Sequence, residues 1–380
     1  MTEGMAVDFC GDPIQKKGGI ELQVERAAYA FQMDGNPVSC VELTQGHINK
    51  TLKITTDTDK EYVLQRINKY VFRNPIRLMG NISAVTEYLR QRVTDKRQAQ
   101  HFIPTYKGTY YHRDRNGEFW RMSEFVGGFC LDAPESPEDF YQSALAFGRF
   151  QQLLADFPVE DLYETIPEFH NTIDRYRQFH ASIELDPCDR VSQAQVEINY
   201  ILKQEEIAGT LQKMRESGEL PLRVTHNDTK LNNVLLDKKT RKALCVLDLD
   251  TVMPGLSVYD FGDAIRFGAA TAAEDEPDYE KMALDLELFR VYTEGYLKAA
   301  PSLTDKEVEM LPMGALIMTL EVANRFLKDF IDGDLYFKTS YPEHNLIRAR
   351  TQIALAMDMQ KKWNEMNQIV AEAAAKIRKH

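Results

Sequence analysis

The stretch from Arg223 to Leu249 constrains this chain more than any other. It reads as a strand-like island in helical surroundings, with two apolar strands each capped by a cluster of polar residues. The first cluster, His226-Asn227-Asp228-Thr229-Lys230-Leu231-Asn232-Asn233, has the form His-x-Asp-x-x-x-x-Asn; the second is Leu247-Asp248-Leu249-Asp250. Asp and Asn commonly satisfy turns between buried strands. Here, however, His226, Asp228, Lys230, Asn232, Asn233, Asp248 and Asp250 crowd onto two adjacent strands, which favours chemistry over turn-making.

Phosphoryl transfer from ATP to a hydroxyl asks for such a set. One carboxylate sits beside the attacking hydroxyl, to orient it and accept its proton. An amide oxygen and a second carboxylate hold Mg²⁺, which prefers oxygen ligands. Asp228, Asn233 and Asp248 match those roles in type, order and spacing, and Asp250 leaves room for a second metal. Lys230 would neutralise charge on the moving phosphoryl group. His226 is expected to brace the loop by hydrogen bonding, not to move a proton. The tripeptide Asp260-Phe261-Gly262 spells the metal-binding motif of protein kinases. It lies further from Asp228 than Asp248 does and opens a segment continuing Ala264-Ile265-Arg266, so Asp260 reads as an N-cap or loop brace.

The rest of the chain falls into two textures. From Val38 to Val126 it reads as strands and turns: Val38–Leu43, then Thr51–Thr55 and Tyr62–Ile67 around Asp57–Lys60. A helix follows, with Ile76, Met79, Ile82, Val85 and Leu89 spaced for one buried face. A second hairpin, Tyr106–His112 with Glu118–Phe125, closes over Asn116-Gly117. After Gly127-Gly128 the pattern turns helical, with a first helix opening at Ser136-Pro137 and further helical stretches over 192–217, 279–299, 304–331 and 345–377. The expected fold is therefore α+β and two-lobed: a small β-rich lobe over 1–126 and a larger, mainly helical lobe over 127–380. That order of elements is the order in protein-kinase-like folds.

Charge and cysteine usage narrow the class of partner. With 46 basic and 58 acidic residues the net charge is -12, which argues against a broad surface for nucleic acid or anionic lipid. The five cysteines are scattered and never spaced Cys-x-x-Cys, as in a protein of a reducing compartment. The N-terminal stretch lacks the basic patch and apolar core of a signal peptide. The most apolar stretch, Leu311–Leu320, is too short to span a bilayer and carries Pro312. A cytoplasmic location is the expectation.

The nucleotide side is less explicit. No Gly-x-Gly-x-x-Gly and no Walker sequence occurs. The turn Gln45-Gly46-His47-Ile48-Asn49 joins the first two strands, where backbone N–H groups would wrap phosphates. The usual kinase lysine on the third strand is absent; Gln65 and Arg66 occupy its place and point to opposite faces. Arg66 supplies the cation if its face carries the nucleotide. Otherwise Gln65 sits there, and neutralisation falls on metal and Lys230.

These residues resemble the aminoglycoside phosphotransferase and choline kinase superfamily and, within it, the bacterial N-acetylhexosamine 1-kinases. The likeness runs through Gly46–Asn49, Tyr62–Asn68, Leu222–Asn233, Asp248–Gly255, Tyr259–Gly268, Tyr292–Gly295 and Tyr341–Leu346. It implies ATP- and Mg²⁺-dependent phosphorylation of N-acetylglucosamine or N-acetylgalactosamine at the anomeric hydroxyl. Asp228 would then be the base, Asn233 and Asp248 would serve the metal, and Arg325 and Tyr336, with Glu321, would contact the sugar. Adenine would lie against the backbone near Ser123–Val126, with Glu124 and Val126 as contacts. The residues themselves leave more open. Glu321 and Arg325 share a helix face, as a surface ion pair would, and Tyr336 follows the turn Asp332-Gly333-Asp334 and could anchor a loop. Competing readings are a kinase of another small alcohol (aminoglycoside, choline or homoserine) and a nucleotide-binding scaffold without turnover.

Overall fold

A computed structural model describes residues 7–8, 22–43 and 48–377. The chain forms two compact units: one from residues 1–132, 156–166 and 232–253, the other from 133–155, 167–231 and 254–380.

The first unit is rich in strand. Pro37–Leu43, Lys50–Thr56, Glu61–Ile67 and Phe119–Glu124 form an antiparallel sheet with the two-residue strand His112–Arg113 at one edge. Successive side chains alternate between its faces. Leu52, Ile54, Tyr62, Leu64, Trp120 and Met122 all lie on one face and form a core with Phe31. The predicted hairpin at Asp57–Lys60 is present, closed by Thr56 N–H to the Lys60 carbonyl at 2.9 Å with Asp59 at φ 59°. The second hairpin differs from expectation, because its first arm shrinks to His112–Arg113. Residues 105–109 instead make their own turn, in which the Gly108 N–H donates to the Thr105 carbonyl and the Thr105 and Thr109 hydroxyls bond at 2.8 Å.

The predicted helix spans Pro75–Arg92, capped by the Asn74 side chain on the Arg77 N–H, with Pro75 in its first turn. Leu78, Met79, Ile82, Val85 and Leu89 are buried, whereas Ile76 is 52% exposed. Ile76 is turned roughly 120° from Ile82 around the axis, off the apolar stripe. A second sheet in this unit orders Val7–Asp8, Phe129–Cys130, Val234–Leu236 and Ala243–Val246.

The second unit is helical. Pro137–Leu153 begins as expected, with the Ser136 hydroxyl accepting from the Asp139 N–H. Such a cap contributes about 1 kcal/mol. The stretch expected as one helix over 304–331 is two, Asp305–Glu309 and Leu311–Asp332, because Pro312 suits only a first turn. The stretch over 345–377 likewise splits, into His344–Lys361 and Trp363–Ile377. Thr172–Leu185 and Ser257–Gly268 are further helices that the sequence pattern did not announce. Ser257–Gly268 packs on Leu311–Asp332 at a glycine crossing: a Cβ on Gly262 would fall 2.3 Å from the Gly314 carbonyl oxygen. The glycine of the kinase-like tripeptide is thus a helix-packing residue. Among the described residues no helix is long and apolar enough to cross a membrane.

Candidate active site

The loop after strand Arg223–Thr225 carries the proposed base, and the helix Ser257–Gly268 holds that loop in shape. Asp260, 1% exposed, accepts from the backbone N–H groups of His226 (2.9 Å) and Asn227 (2.8 Å) and from Gln151 Nε2 (3.0 Å). One turn on, Asp263 accepts the Thr229 N–H at 2.9 Å, and the Thr229 hydroxyl donates to the Asp260 carbonyl at 2.5 Å. Asp260 is therefore the loop brace. It is not an N-cap, since its helix starts three residues earlier. Burial pushes its carboxyl above the usual range, against the pull of the amides it accepts. Burial acts on Asp263 in the same direction, but Arg266 and Lys230 outweigh it and hold that carboxyl low.

The clamp fixes an unusual backbone. Asn227 has φ 63°, a left-handed conformation that Asn tolerates better than most residues. Gly255 lies against the same turn, where a Cβ would come within 2.2 Å of Thr225 Oγ1. His226 is fully buried, with its ring edge-on to Phe147 at 5.4 Å and its Nδ1 accepting the Asp228 N–H at 3.3 Å. It braces the loop, as the sequence suggested. Asp228 emerges from this frame about one-third exposed, with Oδ1 3.0 Å from Lys230 Nζ. Burial lowers the Lys230 pKa, but Asp228 and Asp263 more than offset it and keep the ammonium charged.

Asn233 and Asp248 belong to the strand-rich unit. Strands Val234–Leu236 and Ala243–Val246 pair in antiparallel register, and beyond their last pair the Leu247 N–H donates to the Asn233 carbonyl at 2.8 Å. Asn233 and Asp248 therefore sit at the same end of one hairpin. Asp248 has φ 56° and ψ 59° and opens the short turn Leu249–Thr251. That turn is fixed from behind by Asn81, which donates to the Val252 carbonyl at 2.9 Å and to the Tyr163 carbonyl at 2.8 Å. Among the described residues no group of three or more His, Cys, Asp or Glu side chains could hold a metal ion. An amide oxygen and one carboxylate still suit Mg²⁺, which takes few protein oxygens and completes its shell with water and phosphate.

Asp250 is engaged differently from the second-metal role expected of it. Its Oδ1 takes a short contact from Arg121 Nη1, and its Oδ2 accepts from Asn49 Nδ2 at 2.6 Å. Arg121 and Asp250 are both 3% exposed, and the Arg121 Nε–H donates to Gln65 Oε1 at 2.8 Å. Register explains the grouping, because Gln65 pairs directly across from Arg121. Gln65 thus shares the sheet face with Asp250, whereas Arg66 lies on the other face, opposite Trp120. The cation on that face is Arg121, and Asp250 takes it up as an ion pair. Removing it leaves a buried carboxylate short of its charge partner, so Arg121→Met is expected to cost about 3–5 kcal/mol in chemical denaturation. Arg121→Met combined with Asp250→Leu should recover most of that loss.

Of the other nucleotide-side candidates, Gly46 and His47 lie outside the described residues. Asn49 also accepts the Asn68 N–H at 2.9 Å, which ties the start of the second strand to the end of the third. Glu124 is exposed, 3.0 Å from His101 Nδ1, and its N–H bonds the His101 carbonyl. Val126 packs on Leu235, Leu244 and Cys245, in the sheet that carries Asn233.

The three acceptor-side candidates are brought together in the helical unit. Glu321 is 1% exposed, so it is no surface ion-pair partner; its Oε1 lies 2.9 Å from His170 Nδ1 and 3.9 Å from Arg325 Nη1. The Arg325 guanidinium donates to the Tyr336 hydroxyl at 3.4 Å and lies over the Phe169 and Phe337 rings. The Tyr336 backbone is anchored on Asp329, while its ring is 69% exposed.

A strand-rich unit and a larger helical one, with an Asp-Lys pair on a clamped loop and an Asn-Asp pair on a hairpin, define the kinase-like class. The sequence matches the phosphotransferase enzyme family over residues 39–300, and the chain belongs to that family. It is a small-molecule phosphotransferase of the alcohol-acceptor type. Solved structures share the fold at low identity. A microcompartment-associated aminopropanol kinase is 15% identical with a TM-score of 0.64, over 90% of this chain and 97% of the other. The amicoumacin kinase hAmiN, in complex with AMP-PNP, Ca²⁺ and Ami, is 15% identical at 0.62, over 88% and 93%. An aminoglycoside phosphotransferase from Alicyclobacillus acidocaldarius is 13% identical at 0.63, over 94% and 98%.

Proposed function

We propose that this phosphotransferase is an ATP- and Mg²⁺-dependent kinase of N-acetylhexosamines, converting N-acetylglucosamine or N-acetylgalactosamine to the sugar 1-phosphate. The observation that carries the acceptor class is the Arg325 group: a guanidinium held between the buried Glu321 carboxylate and the exposed Tyr336 ring. Charged hydrogen-bonding groups beside an aromatic face suit ring hydroxyls and the apolar side of a sugar.

In this reading the lobe over 1–126 takes the nucleotide through Gly46, His47, Asn49 and the backbone at Glu124 and Val126. The lobe over 127–380 holds base, metal and sugar. The amicoumacin kinase complex, with its nucleotide analogue and divalent cation, supports ATP with a metal here. Asn233 and Asp248 would hold Mg²⁺, which when bound would neutralise phosphate charge. Asp250, occupied by Arg121 and Asn49, fixes the turn on which Asp248 stands. Asp228 orients the acceptor hydroxyl and takes its proton as the phosphoryl group moves. Lys230 stands 3.0 Å from Asp228 and faces the charge that develops.

The anomeric hydroxyl is more acidic than other sugar hydroxyls because two oxygens share its carbon. A single carboxylate without a histidine relay is then an adequate base, since a loose transition state needs little early proton removal. The product is expected to show phosphorus coupled to the anomeric proton in its NMR spectrum and to lose its reducing end. Coupling to the C6 protons would sink the reading. Arg325→Ala should raise KM for sugar far more than for ATP. The second reading, a kinase of another small alcohol, keeps Asp228 and changes only the acceptor. ATP consumption measured with N-acetylglucosamine, choline, homoserine and an aminoglycoside separates the two.

A further inference from the structure

Around Glu321 the helical unit holds several buried polar atoms that have no hydrogen-bond partner among the described residues. They are Glu321 Oε2, His170 Nε2, the Tyr259 hydroxyl, Arg175 Nε and both ends of the Asn324 amide. Glu321, Tyr259 and the His170 side chain are each nine-tenths buried or more. The group is contiguous: the His170 and Tyr259 rings lie 5.5 Å apart, and His170 Nδ1 meets Glu321 Oε1 at 2.9 Å. Asn324 follows Glu321 by three residues, on the same side of the helix Leu311–Asp332. Buried polar groups in folded proteins are almost always paired. A cluster of unpaired ones, on three different elements, points to partners supplied from outside the chain.

The chemistry of those partners can be read off. Burial raises the Glu321 pKa, but His170, Arg175 and Arg325 outweigh it and hold the carboxyl below the usual range. Ionised Glu321 only accepts, so the hydrogen between it and His170 sits on Nδ1. Burial raises the Tyr259 hydroxyl well above its ordinary value, so it stays protonated and can donate. The unpaired set therefore mixes an acceptor, Glu321 Oε2, with two donors, the Tyr259 hydroxyl and Arg175 Nε, beside the Asn324 amide, which offers one of each. A hydroxyl both donates and accepts, and fits such a mixture. An ammonium group does not, because Arg175 and Arg325 place two guanidiniums against one carboxylate. The cluster also adjoins the catalytic loop, since Tyr259 lies one turn before Asp263, which holds the Thr229 N–H.

We propose that His170, Tyr259 and Glu321 form a specificity-determining subsite that reads hydroxyl groups of an uncharged, hydroxyl-rich acceptor and discriminates against cationic ones. The inference rests on the reading of this unit as the acceptor side of a sugar kinase, and it adds His170 and Tyr259 to the residues that choose the substrate.

The test is steady-state kinetics of the full chain and two variants, His170→Asn and Tyr259→Phe. Acceptors are N-acetylglucosamine, N-acetylgalactosamine, glucose, galactose and their 3-, 4- and 6-deoxy analogues, with choline and 1-amino-2-propanol as cationic probes. The wild type is expected to prefer a parent sugar to at least one deoxy analogue by about tenfold, the scale of one lost hydrogen bond. Each variant should lose a similar factor on the parent, mostly in KM for sugar, with KM for ATP within about twofold. At least one variant should also cease to distinguish parent from analogue. If both variants keep the wild-type parent-to-analogue ratio, or lose only kcat, the subsite is overturned while the sugar kinase reading stands. If glucose or galactose proves the substrate and the ratio collapses in a variant, the subsite stands and the N-acetylhexosamine reading falls. Turnover of the cationic probes alone overturns both. Tyr259→Phe removes one hydroxyl and keeps the ring, so a failure of His170→Asn to fold leaves the test intact.

Discussion

Asp228→Asn is expected to lower kcat by about 10²–10⁴ while leaving the affinity for ATP nearly unchanged. The variant keeps the shape of the side chain and the clamped loop beneath it, since His226, Asn227 and Thr229 hang on Asp260 and Asp263 through their backbone N–H groups. It removes the carboxylate that the proposed base role needs, and with it the partner that lies 3.0 Å from Lys230. Titrating a nucleotide analogue by calorimetry beside single-turnover kinetics separates the two effects. Near wild-type turnover would remove Asp228 from the base role.

The second large effect contrasts two aspartates. Asp248→Ala should abolish metal-dependent turnover with little change in the denaturation midpoint, since Asp248 sits in a short turn at the end of a hairpin. Asp260→Ala should do the reverse in kind. It strips the carboxylate from two buried backbone N–H groups and from Gln151, and each orphaned donor costs about 1–3 kcal/mol. Its main signature is expected in urea or thermal unfolding, with Mg²⁺ dependence of the residual activity retained. The opposite pattern would assign the metal to the tripeptide at Asp260.

The elements that carry these predictions differ in how visible they were in sequence. The cluster His226–Asn233 and the pair Asp248 and Asp250 stood out because polar residues interrupt apolar strands, a contrast local to a few positions. The alternation in Lys50–Thr56 and Glu61–Ile67 and the stripe in Pro75–Arg92 were legible for the same reason. Arg121 was not. One basic residue in the strand Phe119–Glu124 looks like any solvated side chain until register sets it across from Gln65 and the fold brings Asp250 to it from far along the chain. His170 and Tyr259 are invisible for a related reason, as their meaning comes from Glu321 on a distant helix. Asp263 was hidden inside Ser257–Gly268, where a charged residue one turn after another reads as an exposed face. In the fold both carboxylates are buried against backbone amides.

The clamp on the loop at His226–Thr229 has a consequence for how negative charge is met. Enzymes that cradle phosphate on a glycine-rich loop use free backbone amides as their anion receptor. Here the amides of His226, Asn227 and Thr229 already donate to the chain's own carboxylates, so this loop has none of the three to lend a phosphate. In the kinase reading proposed above, stabilising the migrating phosphoryl group would then fall to the Lys230 ammonium and a divalent ion. Rate should accordingly follow the identity and concentration of the metal closely. The same three amide protons should exchange with deuterated solvent as slowly as those of the hydrophobic core.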